Sequence, residues 1–217
     1  MPRKPLIYTS EFPYHVTARS NNKEWFYLPI SECWRVFTSS LVEIHQRFGF
    51  EIHAFVLMSN HYHLLGQCSQ DHDLGEVMAW FQKSVSRQIN KKAGRINHIF
   101  GGAYKASLIS HDYHYSHVYK YIARNPVTAG LSETVENYPF SSFNKRISQG
   151  CFPPILFSLN WRGCIPKDDE NYLAWLNTKF NDDLYLLLKK ELKKTVFEPK
   201  KRGSRRDPFL TQQHYQK

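Results

Sequence analysis

The chain has 217 residues, 41% hydrophobic and 15% aromatic, enough for one well-formed core and against a disordered chain. Lys and Arg number 29 against 19 Asp and Glu, a net charge of +10 that favours a polyanionic partner. No apolar stretch approaches the roughly 20 residues of a bilayer span, and no signal-type segment follows Met1-Pro2-Arg3-Lys4-Pro5, so the expectation is a soluble, cytoplasmic protein without a membrane partner.

Taken in order, Phe12 to Ala18 alternates as a strand and Arg19-Ser20-Asn21-Asn22 reads as a turn. Ser31 is placed as the N-cap of a helix in which Trp34, Phe37, Leu41, Ile44, His45 and Phe48 recur at helical spacing, with Gly49 at its end. Phe50 to Met58 and His61 to Cys68 read as two strands joined by a turn at Ser59-Asn60. Asp73 caps a second helix with Leu74, Val77, Met78, Phe81, Val85 and Ile89 on its apolar stripe and Gly94 at its end. Lys83, Arg87 and Lys91 run along another face of it, a solvated stripe or a phosphate-binding one.

A strand follows over Tyr104 to Ile109, then a helix from about Tyr113 to Arg124, stopped by Pro126. The order β-α-β-β-α-β-α predicts an α+β fold, an antiparallel sheet with packed helices close to a ferredoxin-like arrangement. Composition changes after Phe143. A boundary near Gly150-Cys151-Phe152-Pro153-Pro154 divides the chain into residues 1–147 and a helical, basic extension over 148–217. Two short helices are expected there, about Glu170 to Phe180 and Asp183 to Lys194, before a tail with Lys200, Lys201, Arg202, Arg205 and Arg206. Cys33, Cys68, Cys151 and Cys164 show no zinc-ribbon spacing and read as reduced thiols.

The chemistry concentrates in two places. In His61-Tyr62-His63 the i, i+2 spacing of a strand points both imidazoles one way and Tyr62 the other, an arrangement suited to a divalent metal. On the third helix Tyr115, Val118, Tyr119 and Ile122 share the core face, while His117, Tyr121 and Asn125 share a different one. That reading makes Tyr121, whose ring is not needed for the core, a candidate nucleophile, with His117 considered as its proton acceptor. The bland reading is an amphipathic tyrosine at the surface.

The segment His53-Ala54-Phe55-Val56-Leu57-Met58-Ser59-Asn60-His61-Tyr62-His63-Leu64-Leu65 resembles the metal-binding segment of the HUH (His-hydrophobic-His) single-tyrosine transposases. Tyr121-Ile122-Ala123-Arg124-Asn125-Pro126-Val127-Thr128-Ala129-Gly130-Leu131 resembles that family's nucleophile segment, especially in the REP-associated tyrosine transposases. His15-Val16-Thr17-Ala18-Arg19-Ser20-Asn21-Asn22, Phe100 to Ile109 and Tyr138-Pro139-Phe140-Ser141-Ser142-Phe143 fit the same order, so the likeness spans about residues 8 to 145.

The resemblance implies a ferredoxin-like HUH endonuclease fold and metal-dependent cleavage and transfer of single-stranded or hairpin DNA through a 5′-phosphotyrosine. Tyr121 is then the nucleophile, and Mg²⁺ or Mn²⁺ is held by His61, His63 and Asn125, where some members of the family carry Gln. Arg19, Lys23, Lys83, Arg87, Lys91, Arg95, Lys105 and Arg124 would track phosphates, in a monomer or homodimer. Two rival readings remain on the same fold: a nucleic-acid-binding protein without strand transfer, and a metal-dependent hydrolase in which water attacks.

Overall fold

The computed structural model describes residues 6–144, 165 and 169–199. Cys151, Cys164, the boundary near Gly150 and the tail beyond Pro199 lie outside the described residues. Strands β1 (Tyr14–Arg19), β2 (Glu51–Leu57), β3 (His61–Gln67) and β4 (Lys105–Leu108) form one sheet in the order β2-β3-β1-β4, every pair antiparallel. That is the order of a ferredoxin-like sheet, as the alternation of elements predicts.

Helices α1 (Ile30–Phe48) and α2 (Leu74–Ala93) cover one face of the sheet, and α3 (Asp112–Thr128), α4 (Asp169–Asn177) and α5 (Asp182–Glu191) cover the other. The period-two pattern of the strands explains the two cores. Tyr14, Val16, Phe55, Leu57, Tyr62 and Leu64 face α1 and α2, whereas Ala54, Val56 and Leu65 face α3. A register shift between Ile52 and Ala54 puts the extra residue His53 on the α3 side, where it meets the Tyr115 hydroxyl at 3.2 Å. The extension packs as part of the second core, and the backbone at Val196 pairs with the β4 edge at Leu108.

Helix ends follow the sequence at three points. Gly49 and Gly94 close α1 and α2 at φ 61° and 62°, and the Asp73 carboxylate accepts from the backbone N–H of Glu76. Two ends differ. The cap of α1 is Pro29, whose carbonyl accepts from the N–H groups of Glu32 and Cys33, so Ser31 lies inside the first turn. Helix α3 runs through Pro126 to Thr128. Pro126 has no N–H to give the carbonyl one turn back, but it stands close to the helix end, where Ala129 N–H closes onto Asn125 and Leu131 N–H onto Pro126.

Candidate active site

The two histidines of β3 point together to the α3 face, as strand alternation requires, while Tyr62 is buried on the α1/α2 side. His61 lies opposite Arg19 on β1, and His63 lies opposite Thr17 on β1 and Val56 on β2. Their rings are 5.1 Å apart and nearly perpendicular. A third histidine joins them. His15 of β1 sits with Nε2 2.9 Å from Nδ1 of His63. Above this group stands Tyr121 of α3, its ring edge-on to His63 at 5.9 Å and to His15 at 6.3 Å.

Burial dominates the electrostatics. It lowers His15 to about 3 and, helped by the neighbouring Arg19 charge, His61 to about 4. His63 is pushed well below its ordinary value, first by burial and then by His15, His61 and Arg19. All three rings are therefore neutral at pH 7, the form that offers a lone pair to a cation. Burial, with a smaller contribution from Tyr185, pushes the Tyr121 hydroxyl well above the usual tyrosine range and keeps it protonated.

Asn60 sharpens the site further. Its amide nitrogen donates to the Lys23 carbonyl at 2.8 Å, which turns its oxygen toward Nδ1 of His61, also at 2.8 Å. An amide oxygen only accepts, so the His61 proton sits on Nδ1 and Nε2 is bare. The residues present thus fit a divalent cation in donor chemistry. Among the described residues no set of three or more His, Cys, Asp or Glu is arranged to hold one, so oxygen donors would complete the shell. Asn125 is half-buried and its amide nitrogen donates to the Tyr121 carbonyl at 2.8 Å, leaving the side-chain oxygen as the atom available to a ligand.

Two expectations from sequence are corrected here. Tyr121 belongs to the core: it is 7% exposed, because α3 is packed between the sheet and the extension and has no free face. Tyr185 of α5 lies against it with ring centroids 5.9 Å apart. Tyr119 is buried too, but its hydroxyl meets that of Tyr172 at 2.9 Å, and its ring packs on Phe143, away from the histidines. His117 gives its Nδ1 proton to the Tyr113 carbonyl at 2.7 Å, which leaves its lone pair on Nε2, and its ring lies along Phe180. Arg124 is 8% exposed, and its guanidinium donates to the carbonyls of Leu176 and Asn177 at the C-terminal end of α4. It caps that helix, so the side chain expected at the surface is turned into the core.

The other basic residues stay at the surface but not in one place. Arg19, Lys23 and Lys105 are exposed on or beside β1 and β4, with Arg19 next to His61. Arg95 is half-buried with its guanidinium 3.8 Å from the centre of the Tyr27 ring. Lys83, Arg87 and Lys91 are exposed on α2, across the sheet from Tyr121, and none is in an ion pair among the described residues. A cavity of about 390 Å³ opens on that same side, between Ser86 and Asn90 of α2 and the loop Ile96 to Ala103, and is separate from the tyrosine.

A ferredoxin-like sheet that presents a His-x-His pair to a helix-borne tyrosine is the architecture of the HUH single-tyrosine enzymes. A family model described as "Transposase IS200 like" matches residues 8–125, and the chain belongs to that family of DNA transposases. It is 24% identical over 131 residues to a REP-associated tyrosine transposase of Escherichia coli (strain K12), covering 60% of this chain and 73% of that one. A Haemophilus influenzae protein assigned to the same group is 26% identical over 127 residues, covering 54% and 72%. The fold also matches a solved REP-associated tyrosine transposase bound to a REP hairpin, with a TM-score of 0.57 at 20% identity over 83% of this chain and 96% of that one.

Proposed function

We propose that this transposase cuts and rejoins single-stranded DNA beside a hairpin, with Tyr121 as the nucleophile and a 5′-phosphotyrosine as the intermediate. The observation that carries this reading is the edge-on contact of Tyr121 with His63 at 5.9 Å, while Tyr119 is tied to Tyr172. The phenolic oxygen attacks the scissile phosphorus, the bond from phosphorus to the 3′ oxygen breaks, and the leaving oxygen takes a proton to become a 3′-OH. One phosphodiester is exchanged for another, so no nucleotide cofactor is needed, and attack by a 3′-OH on the phosphotyrosine reverses the step.

A divalent cation, Mg²⁺ or Mn²⁺, held by His61 and His63 with Asn125 as the candidate third ligand, would polarise the phosphate and offset its developing charge. The chain's own residues set the rest. Asn60 keeps the lone pair of His61 exposed, and Arg19 adds a positive charge at the same sheet end. Burial holds the phenol protonated, so its proton leaves during the attack. Tyr185 covers the nucleophile, and DNA reaches the phenol by displacing that ring. A hairpin substrate is favoured because the relative of matching fold is bound to one.

Incubation with a labelled hairpin oligonucleotide and Mn²⁺, followed by a denaturing gel, tests the reading. A covalent adduct whose peptide map carries the label on Tyr121 supports it. Binding without an adduct leaves a non-catalytic binder, and a 5′-phosphate product that forms equally with Tyr121→Phe leaves a hydrolase.

A further inference from the structure

The reaction above gives His15 no role, yet it is 3% exposed and bonded to one of the two candidate ligands. Its ring centroid is 5.1 Å from that of His63, the planes are 16° from parallel, and the facing nitrogens are 2.9 Å apart. Two imidazoles meet those values when they lie edge to edge in nearly one plane, with the hydrogen along the acceptor's lone pair. Such a contact between neutral rings holds one proton, so it has two arrangements. If His15 donates, His63 accepts at Nδ1 and carries its own proton on Nε2. If His63 donates, its Nε2 is bare. Only the second leaves His63 able to ligate. The far nitrogen of His15, Nδ1, is buried without a hydrogen-bond partner among the described residues in either arrangement, so that cost is borne in both.

His61 has the same construction in fixed form, with the Asn60 oxygen behind Nδ1 holding the proton there. We infer that His15 is the positioning residue for His63, as Asn60 is for His61: a buried acceptor that holds the proton on Nδ1 and leaves Nε2 for the cation. Such outer partners raise ligand basicity and fix ring orientation, and losing one weakens metal binding by about 10- to 100-fold. This assignment rests on the metal reading above.

Two measurements on the whole chain, free of DNA, decide it. Long-range proton–nitrogen NMR of the wild type reads the His63 tautomer, expected to be protonated on Nδ1. Electron paramagnetic resonance titration with Mn²⁺ reads affinity, expected to fall about 10- to 100-fold in His15→Leu and to recover in large part in His15→Gln, which restores an acceptor oxygen. Hairpin binding in EDTA is expected to stay at the wild-type level in both variants, a separation that a merely structural residue would not give. His63 protonated on Nε2 in the wild type, or wild-type Mn²⁺ affinity in His15→Leu, overturns the assignment. If His15→Leu does not fold, the wild-type tautomer decides alone. Failure of the metal reading looks different: Mn²⁺ then binds neither the wild type nor its variants, or binds His61→Ala unchanged, and both inferences go together.

Discussion

Tyr119 and Tyr121 are two residues apart on α3, about 200° around the helix, and the structure gives their hydroxyls different surroundings. The Tyr119 hydroxyl bonds Tyr172 at 2.9 Å, whereas the Tyr121 hydroxyl has no hydrogen-bond partner among the described residues. Replacing each by Phe therefore yields a crossed result. Tyr119→Phe removes a buried hydrogen bond and strands the Tyr172 hydroxyl, a loss of about 1 kcal/mol. For a chain of this size that lowers Tm by about 2–4 °C. Tyr121→Phe removes an unbonded hydroxyl and keeps the ring packed on His63 and Tyr185, so stability stays within about 0.5 kcal/mol. The adduct moves the other way: it is kept in Tyr119→Phe and absent in Tyr121→Phe. Thermal melts of both variants, gel quantification of trapped adduct and peptide mapping make the assay. A label on Tyr119 or any other tyrosine, or an adduct from Tyr121→Phe, refutes the assignment.

Because His61 and His63 are already neutral, Mn²⁺ affinity should change little between pH 8 and pH 6, and a tenfold loss over that range would contradict the burial argument. The same buried rings, with His15 and His53, have folded values below the ordinary 6.5, so the unfolded chain binds more protons in acid. Stability to urea should therefore be level above pH 6.5 and fall from there toward pH 4, and a flat profile would count against it. If Lys83, Arg87 and Lys91 each meet a phosphate of a single strand, their joint change to Ala flattens the log K against log salt slope by about 2 units, and an unchanged slope assigns the stripe to solvent. Arg124→Met should lower Tm by about 4–8 °C, from about 2 kcal/mol of lost charged hydrogen bonding, with hairpin affinity retained; lost affinity at unchanged Tm would return Arg124 to the DNA surface.

The parts legible in sequence were those carried by local periodicity. Alternation in His61-Tyr62-His63 fixed which side chains share a face, and Gly49 and Gly94 marked helix ends at φ values that favour glycine. What was not legible depends on which elements meet. The partnership of His15 with His63 follows from the β1–β3 register, and no residue pattern within either strand encodes that register. Tyr121 was assigned a free face because a helix with one apolar stripe normally has one. Helix α3 instead has the sheet on one side and α4 and α5 on the other, which buries Tyr119 and Tyr121 alike. Arg124 is buried for a related reason. Net charge says how many cations a chain has, not which of them cap a helix of the same core.

If Tyr121 is the nucleophile, burying it together with the histidines has a consequence for control. An exposed phenol near its ordinary value is a weak nucleophile at neutral pH, and burial under Tyr185 makes ionisation harder still. The histidines respond in the opposite sense: burial strips their charge, and the neutral rings keep their lone pairs throughout the physiological range. One cause thus leaves the candidate ligands ready and the candidate nucleophile silent. On the proposed mechanism, reactivity then waits for the cation and the DNA phosphate. If the Tyr185 ring closes again over the phosphotyrosine, the same enclosure disfavours attack by water and favours rejoining over hydrolysis. Tyr185→Ala separates the two effects: a faster adduct shows that the ring restrained access, and a rising yield of hydrolysed 5′-phosphate shows that it also excluded water. An unchanged rate and yield would mean that Tyr185 lies beside the path of the strand and controls neither.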